Sequence, residues 1–318
     1  MTVHKTALPR LVVILGPTAS GKSALGIALA ERLGGEILVC DSTQIYRHFD
    51  IGTGKVPVAE RRGIPHHLID LLEPDEVFTA GDFRRRALEV LADLRTRGKL
   101  PIITAGTGLY LRALLEGLAD APERSEELRE RLRARAAKND PLYLHRVLAR
   151  IDKEAAARIA PRDAQKIIRA IEIRKLAGKS VGEVHRAGRD PLAGYEILKV
   201  GLQPPREALY ARIHARVESM IAAGWPAEVR SLIASDIPAT AKPFQFIGYS
   251  EIRAAIASNS SAAAQSKAIA AAVPRIQQST RQYAKRQLTW FRKENEVRWL
   301  EGFGDAPNTL AATLTALS

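Results

Sequence analysis

The chain has 318 residues, 46% hydrophobic and 26% charged, which excludes a disordered polymer and allows one large or two modest domains with a proper core. Its single cysteine, Cys40, excludes an intramolecular disulfide and a cysteine-built zinc site. The formal net charge of +13 says nothing of fold but favours a polyanionic partner, with a merely basic enzyme surface as the alternative.

No apolar run approaches the about 18 residues of a membrane span, and no signal-peptide core opens the chain; a cytoplasmic protein is expected. In chain order, "RLVVILG" (10–16) predicts a buried parallel strand. "KSALGIALAERLG" (22–34) predicts a helix with a glycine stop, and "EILVC" a second strand. The paired His66 and His67 point to opposite faces of an extended segment and are read as structural. A helix over 80–98 leads to a third strand, "LPIITAG" (100–106). Strands alternating with helices imply right-handed crossovers and a parallel sheet covered on both faces.

The pattern changes near residue 119. From there to 190 the sequence is helical and charged, with 18 Lys or Arg against 12 Asp or Glu. "AGRDPLAG" (187–194) closes it with turn residues, and "YEILKVGL" (195–202) resumes the strand pattern. The expected architecture is therefore an α/β core over 1–118 and 195–318, interrupted by a helical insertion over 119–194. The core should continue through helices starting near 205 and 275, with "EVRWL" (296–300) as a last strand. "ASNSSAAAQSKAIAAA" (257–272) is expected to be a loop and then a surface helix.

"GPTASGKS" (16–23) fits the phosphate-loop pattern G-x-x-x-x-G-K-[ST] between a predicted strand and a predicted helix, which is the context that motif needs. The loop Gly16, Pro17, Thr18, Ala19, Ser20 and Gly21 would wrap an anion, with amides at the helix N-terminus pointing at it. Lys22 would neutralise phosphate charge, and Ser23 would offer its hydroxyl to Mg²⁺. The third strand ends without the acid that usually organises a metal for phosphoryl transfer. Asp41 ends the second strand and should face the same crevice. It is either a metal acid or a base aimed at a second substrate.

Several stretches together resemble the tRNA dimethylallyltransferases (tRNA isopentenyltransferases). They are "GPTASGKS", "DSTQIYRHFDIGTGK" (41–55), "GIPHHLID" (63–70), "TAGTGLYLRALLEGL" (104–118), "PRDAQKIIRAIEI" (161–173), "GWPAEVRSL" (224–232) and "STRQYAKRQLTWFR" (279–292). They run in that family's order over nearly the whole chain. The resemblance implies a phosphate-loop NTPase-like core. It also implies transfer of a dimethylallyl group from its diphosphate to N6 of the adenosine 3′-adjacent to the tRNA anticodon, with Mg²⁺ and without ATP hydrolysis. Asp41 takes the place of the general base, and Gln44, with Ser42 and Thr43 beside it, that of the base reader. Thr107 would line the channel between tRNA and diphosphate, and Arg212 would bind the diphosphate. Arg162, Asp163, Ala164, Gln165 and Lys166 match a tRNA-contacting segment of the insertion, and Arg129 another contact position. The expected partners are the tRNA anticodon stem-loop and dimethylallyl diphosphate, with no membrane and a monomeric protein.

Outside the resemblance, Gln44 could be a turn residue bonding the backbone, and Arg212 a solvated helix charge. The basic residues of "STRQYAKRQLTWFRK" would track phosphates, while Ile276, Tyr283, Leu288 and Phe291 of the helix that carries it are expected to face the core. Two other activities fit a phosphate loop alone. A small-molecule kinase would use Asp41 on an acceptor hydroxyl or a metal, and a nucleotide switch would leave tRNA unmodified.

Overall fold

The protein is described by a computed structural model over residues 8–186, 188–259 and 261–317; Ala187 of the predicted closing turn and Ser260 of the Ala/Ser-rich stretch lie outside the described residues. It divides into two units, one formed by 1–114 with 193–318 and the other by Leu115–Leu192.

The first unit is built on parallel strands in the order β3 (His66–His67), β2 (Gly35–Cys40), β4 (Leu100–Ala105), β1 (Arg10–Leu15), β5 (Glu196–Leu202) and β6 (Val297–Leu300). β1 (Arg10–Leu15) is an almost wholly buried apolar run, so it takes the centre and pairs with β4 on one side and β5 on the other. α1 (Lys22–Leu33) follows the phosphate loop and stops at Gly34, whose φ of 63° is left-handed. β2 (Gly35–Cys40) pairs with β4 and with the two-residue β3 (His66–His67). α2 (Ala80–Thr96) opens with a capping box between Thr79 and Asp82. It leads to β4 (Leu100–Ala105) and the short α3 (Gly108–Leu115). Val12, Ile14, Leu25, Leu29, Ile37, Val39, Ile102 and Leu202 form one continuous buried cluster between the strands and α1.

The second unit holds α4 (Glu126–Ala137), α5 (Tyr143–Ile151), α6 (Lys153–Arg158), α7 (Ala164–Ala177) and α8 (Val181–Arg186). It has its own core, made of Leu132, Leu144, Leu148, Ile167, Ile168 and Ile171. At its base Glu172, fully buried, collects Arg129, Arg169 and the Ser125 backbone N–H.

The first unit resumes with β5 (Glu196–Leu202), α9 (Arg206–Ala222), α10 (Trp225–Ala234), α11 (Tyr249–Ala257), α12 (Ala262–Phe291), β6 (Val297–Leu300) and α13 (Pro307–Leu317). The expected loop after 257 is short, ending where Ser261 caps α12, and the expected surface helix and separate core helix are a single 30-residue helix, α12, running through Pro274. An internal proline costs a helix about 3 kcal/mol. Buried Ile269, Ala272 and Ile276 on either side supply packing that offsets it. Among the described residues no helix is long and apolar enough to cross a membrane.

One buried charge cluster sits at the start of β2. Glu36, only 5% exposed, accepts from Arg97 through both oxygens at 2.5 and 2.9 Å, and lies 2.7 Å from His67 Nε2. His67 is thus structural, as expected. The Arg97 guanidinium holds the Glu36 carboxyl down to about 2, against the opposing effect of burial, and His67 assists. A depressed carboxyl contributes stability that is complete above its ordinary value near 4.5 and disappears as pH falls towards 2. Glu36→Gln should therefore cost roughly 1–2 kcal/mol at pH 7, because the half-exposed Arg97 guanidinium is partly screened by solvent. Urea titrations should show the gap between variant and wild type narrowing below pH 4.5; a constant gap would sink this account.

Candidate active site

A cavity of about 1640 Å³ opens in the first unit. That exceeds the usual volume for a single small ligand, so two reactants can be held together. The segments following β1, β2 and β4 all contribute to its wall, because parallel strands deliver their carboxyl ends to one crevice.

Thr18, Ala19, Ser20, Gly21, Lys22 and Ser23 line it, whereas Gly16 and Pro17 lead into the loop behind. Ala19 and Gly21 are left-handed, with φ of 63° and 89°, which curls the backbone so that consecutive amides converge. Ser20 is fully buried, yet its Oγ has no hydrogen-bond partner among the described residues. The amides at the start of α1 have no acceptor within the helix, and such donors are what an anion would satisfy. Lys22 Nζ donates to the Pro17 carbonyl at 2.8 Å. Burial lowers its pKa to about 8; Asp41 opposes the shift and Arg216 adds to it.

Asp41 lines the same cavity. Its Oδ1 accepts from the Thr43 backbone N–H at 2.9 Å and from the Thr43 hydroxyl at 2.7 Å. Its Oδ2 packs so closely on Gly106 that any Cβ there would collide with it. The carboxylate orientation is therefore fixed from both sides. Thr107, one residue past Gly106, turns its hydroxyl to Ser42: its Oγ1 accepts from Ser42 N at 2.9 Å and donates to Ser42 Oγ at 3.1 Å. Gln44 Nε2 donates to the Thr53 carbonyl at 3.3 Å, so the turn-residue alternative holds for one N–H, while Gln44 also lines the cavity.

Arg212 lines the cavity but is not free. It makes a bidentate pair with Asp305 at 2.7 and 2.8 Å and lies over the Phe303 ring at 4.6 Å, and it holds the Asp305 carboxyl below its ordinary range. One turn on, Arg216 also lines the cavity and makes no hydrogen bond or ion pair among the described residues. Burial, then Arg212, depresses its pKa, with Asp41 opposing. Arg216 escaped the sequence reading; its spacing from Arg212, which puts both on one face of α9, was the available signal.

Thr280, Tyr283, Arg286 and Gln287 of α12 complete the wall. Ile276 and Phe291 are core residues as expected, and Leu288 is half-buried. Tyr283 departs from its expected core placement and lines the cavity, because its hydroxyl finds partners in Thr107 and Gln287 there. Burial and then the Asp41 charge push that phenol upward. Gln287, also missed, accepts from Thr18 N at 2.7 Å and donates to the Gly106 carbonyl at 2.8 Å.

The remaining predicted residues belong to the helical unit. Arg129 spends its guanidinium on Glu172 and is largely buried. Asp163 caps α7, accepting from Lys166 N and pairing with its ammonium at 2.8 Å. Arg162, Ala164, Gln165 and Lys166 are exposed beside it.

Near pH 8 the unliganded Lys22 amine should be about half protonated, and an anion would draw it to the ammonium form. Calorimetric binding of inorganic diphosphate in two buffers of unequal ionisation enthalpy should show uptake of about half a proton at pH 8, abolished in Lys22→Met. Equal uptake in the variant would assign the proton elsewhere.

The IPP transferase family model matches residues 44–294. A tRNA dimethylallyltransferase of Koribacter versatilis (strain Ellin345) is 54% identical over 297 residues, 93% of this chain and 94% of that one. The full-length tRNA isopentenylpyrophosphate transferase structure from Bacillus halodurans is 35% identical, with a TM-score of 0.68 over 97% of this chain and 95% of that one. A eukaryotic dimethylallyltransferase acting on tRNA is 27% identical, with a TM-score of 0.81 over 97% and 78%. Phosphate loop, strand-end aspartate and parallel sheet thus sit in a chain that belongs to the IPP transferase family.

Proposed function

We propose that this cavity transfers a dimethylallyl group from dimethylallyl diphosphate to N6 of the adenosine 3′-adjacent to a tRNA anticodon, releasing diphosphate. The observation that carries the reading is the shared wall: an anion cradle of loop backbone and Lys22 lies in one cavity with an immobilised carboxylate, Asp41. That the named relatives are tRNA dimethylallyltransferases supports the acceptor.

An exocyclic adenine amine is a weak nucleophile because its lone pair is delocalised into the ring. Asp41 accepts the N6 proton as the new C–N bond forms, and the pair of the breaking C–O bond leaves on the diphosphate. Charge growing on that oxygen meets the loop amides, Lys22 and Arg216. Arg212 takes part either by exchanging Asp305 for diphosphate or by holding the segment around Gly304 over the loop. Thr107 acts through Ser42, fixing the turn that carries Asp41 and Gln44. Tyr283 closes the wall between them.

Mg²⁺ fits this donor set. Ser23, at the start of α1 and on the cavity wall, would hold the ion through its hydroxyl beside the bound diphosphate. When bound, Mg²⁺ supplies further charge neutralisation of the diphosphate. Polyanion binding falls to the exposed Arg162–Lys166 segment and to α12, which contains no acid and exposes Arg275, Lys285 and Arg286. Arg129 contributes by shaping the helical unit through Glu172. A monomer working in the cytoplasm meets these needs.

Purified protein with dimethylallyl diphosphate, Mg²⁺ and unmodified tRNA should add a dimethylallyl mass to adenosine in nucleoside digests, and no gain would sink the reading. Asp41→Asn should lower kcat roughly 100-fold or more, with tRNA affinity within a few fold. Collapse of tRNA binding instead would make Asp41 a recognition residue.

A further inference from the structure

The backbone of residues 50–54 forms one wall of the cavity, and all five residues line it. Their amides are held from behind by two side chains far along the chain. Glu228, in the first turn of α10, accepts through Oε2 from Asp50 N at 3.2 Å and Ile51 N at 2.8 Å. Its Oε1 accepts from the Tyr249 hydroxyl at 2.5 Å, and that hydroxyl accepts in turn from Gly52 N at 3.1 Å. Three consecutive amides are therefore gripped by one carboxylate and one phenol. The Tyr249 ring packs on Phe49 at 4.9 Å between centroids, so the phenol has little freedom of its own.

Other bonds in this loop do not replace that grip. Thr53 Oγ1 donates to the Phe49 carbonyl at 2.6 Å, and Lys55 Nζ reaches the Tyr46 carbonyl and Asp50 Oδ1 at 2.6 and 2.7 Å. Those bonds keep the turn folded, but they leave the amides of 50–52 to Glu228 and Tyr249. What the loop positions is specific. The Thr53 carbonyl takes one N–H of Gln44 and so decides which way round the Gln44 amide sits. The oxygen and the second N–H of that amide are left for a ligand. Adenine offers an N–H donor beside a ring-nitrogen acceptor on either edge, and an amide of fixed sense matches that pair bidentately. A freely flipping amide matches it only part of the time.

We infer that Glu228, seconded by Tyr249, is a specificity-determining positioning residue: it holds the 50–54 backbone so that Thr53 fixes the Gln44 amide for reading the adenine edge. This rests on the proposed function. Glu228 touches neither reactant; it acts through Thr53 and Gln44.

The test uses the full chain and tRNA anticodon stem-loops carrying adenosine, 7-deazaadenosine or 1-deazaadenosine at the target position. Each analogue keeps the amine and removes one ring acceptor. Wild type should lose roughly ten-fold or more in kcat/KM with the analogue lacking the acceptor that Gln44 uses. Glu228→Gln and the milder Tyr249→Phe should narrow that penalty to about three-fold or less, since a loosened amide no longer depends on the match. Because the penalty is a ratio within one variant, loss of folded protein cancels from it, and melting temperatures report that loss separately. A penalty as wide in both variants as in wild type would overturn the inference, as would a wild type indifferent to both analogues. A wild type that leaves adenosine itself unmodified would overturn the proposed function instead, so the two failures are distinguishable.

Discussion

The site depends on one buried amide. Gln287 ties the phosphate loop to the end of β4, holding Thr18 N with its oxygen and the Gly106 carbonyl with its nitrogen. Its two partners lie on loops leaving adjacent strands, and each would otherwise be a backbone group without a strand to pair with. Gly106 in turn bears on Asp41, so the position of the anion cradle and that of the carboxylate are linked through a single side chain. An amide suits this place because it can accept and donate at once; an ionised acid or a lysine could satisfy only one of the two.

Around that tie the charges are arranged at a cost to the empty protein. Lys22 and Arg216 are both desolvated, and each is made less willing to carry its proton by a neighbouring cation. Asp41 relieves both only in part. Such an arrangement is poor for stability and good for seizing an anion, as the ligand supplies the missing countercharge. Arg212 differs, since Asp305 already neutralises it. Two arginines one turn apart therefore have different standing: one resting on the fold, the other exposed to whatever enters.

The parallel core, the phosphate loop and the strand-end Asp41 were legible because local pattern dictates them: continuous apolar runs, glycines at fixed offsets and helical spacing. β3 was not legible as a strand of the sheet, since two histidines carry no periodicity, and it exists only because β2 offers an unpaired edge. α12 was cut in two because Pro274 and the serines upstream are local breakers, while the packing that overrides them is tertiary. Gln287, Glu228 and Tyr249 were invisible for another reason. Gln287 meets Thr18 across 269 residues and Glu228 meets Ile51 across 177, and nothing in a linear pattern announces such partners. Arg212 came from the resemblance alone, and spacing cannot tell which of two arginines on one helix face has an acid waiting for it.

The segment that meets the phosphate loop from the other end of the chain has a kinetic consequence. Gly304 N donates to the Ser20 carbonyl, and Gly21 packs against Gly304 and Asp305. The loop emerges during synthesis long before its cover, which belongs to residues near 305. Between those events β1 has apolar flanks waiting for β4 and then β5. Folding of this unit is therefore dominated by closures of very long sequence separation, the slow and aggregation-exposed regime. A nascent chain halted before β6 would hold a phosphate loop that is already made but uncovered.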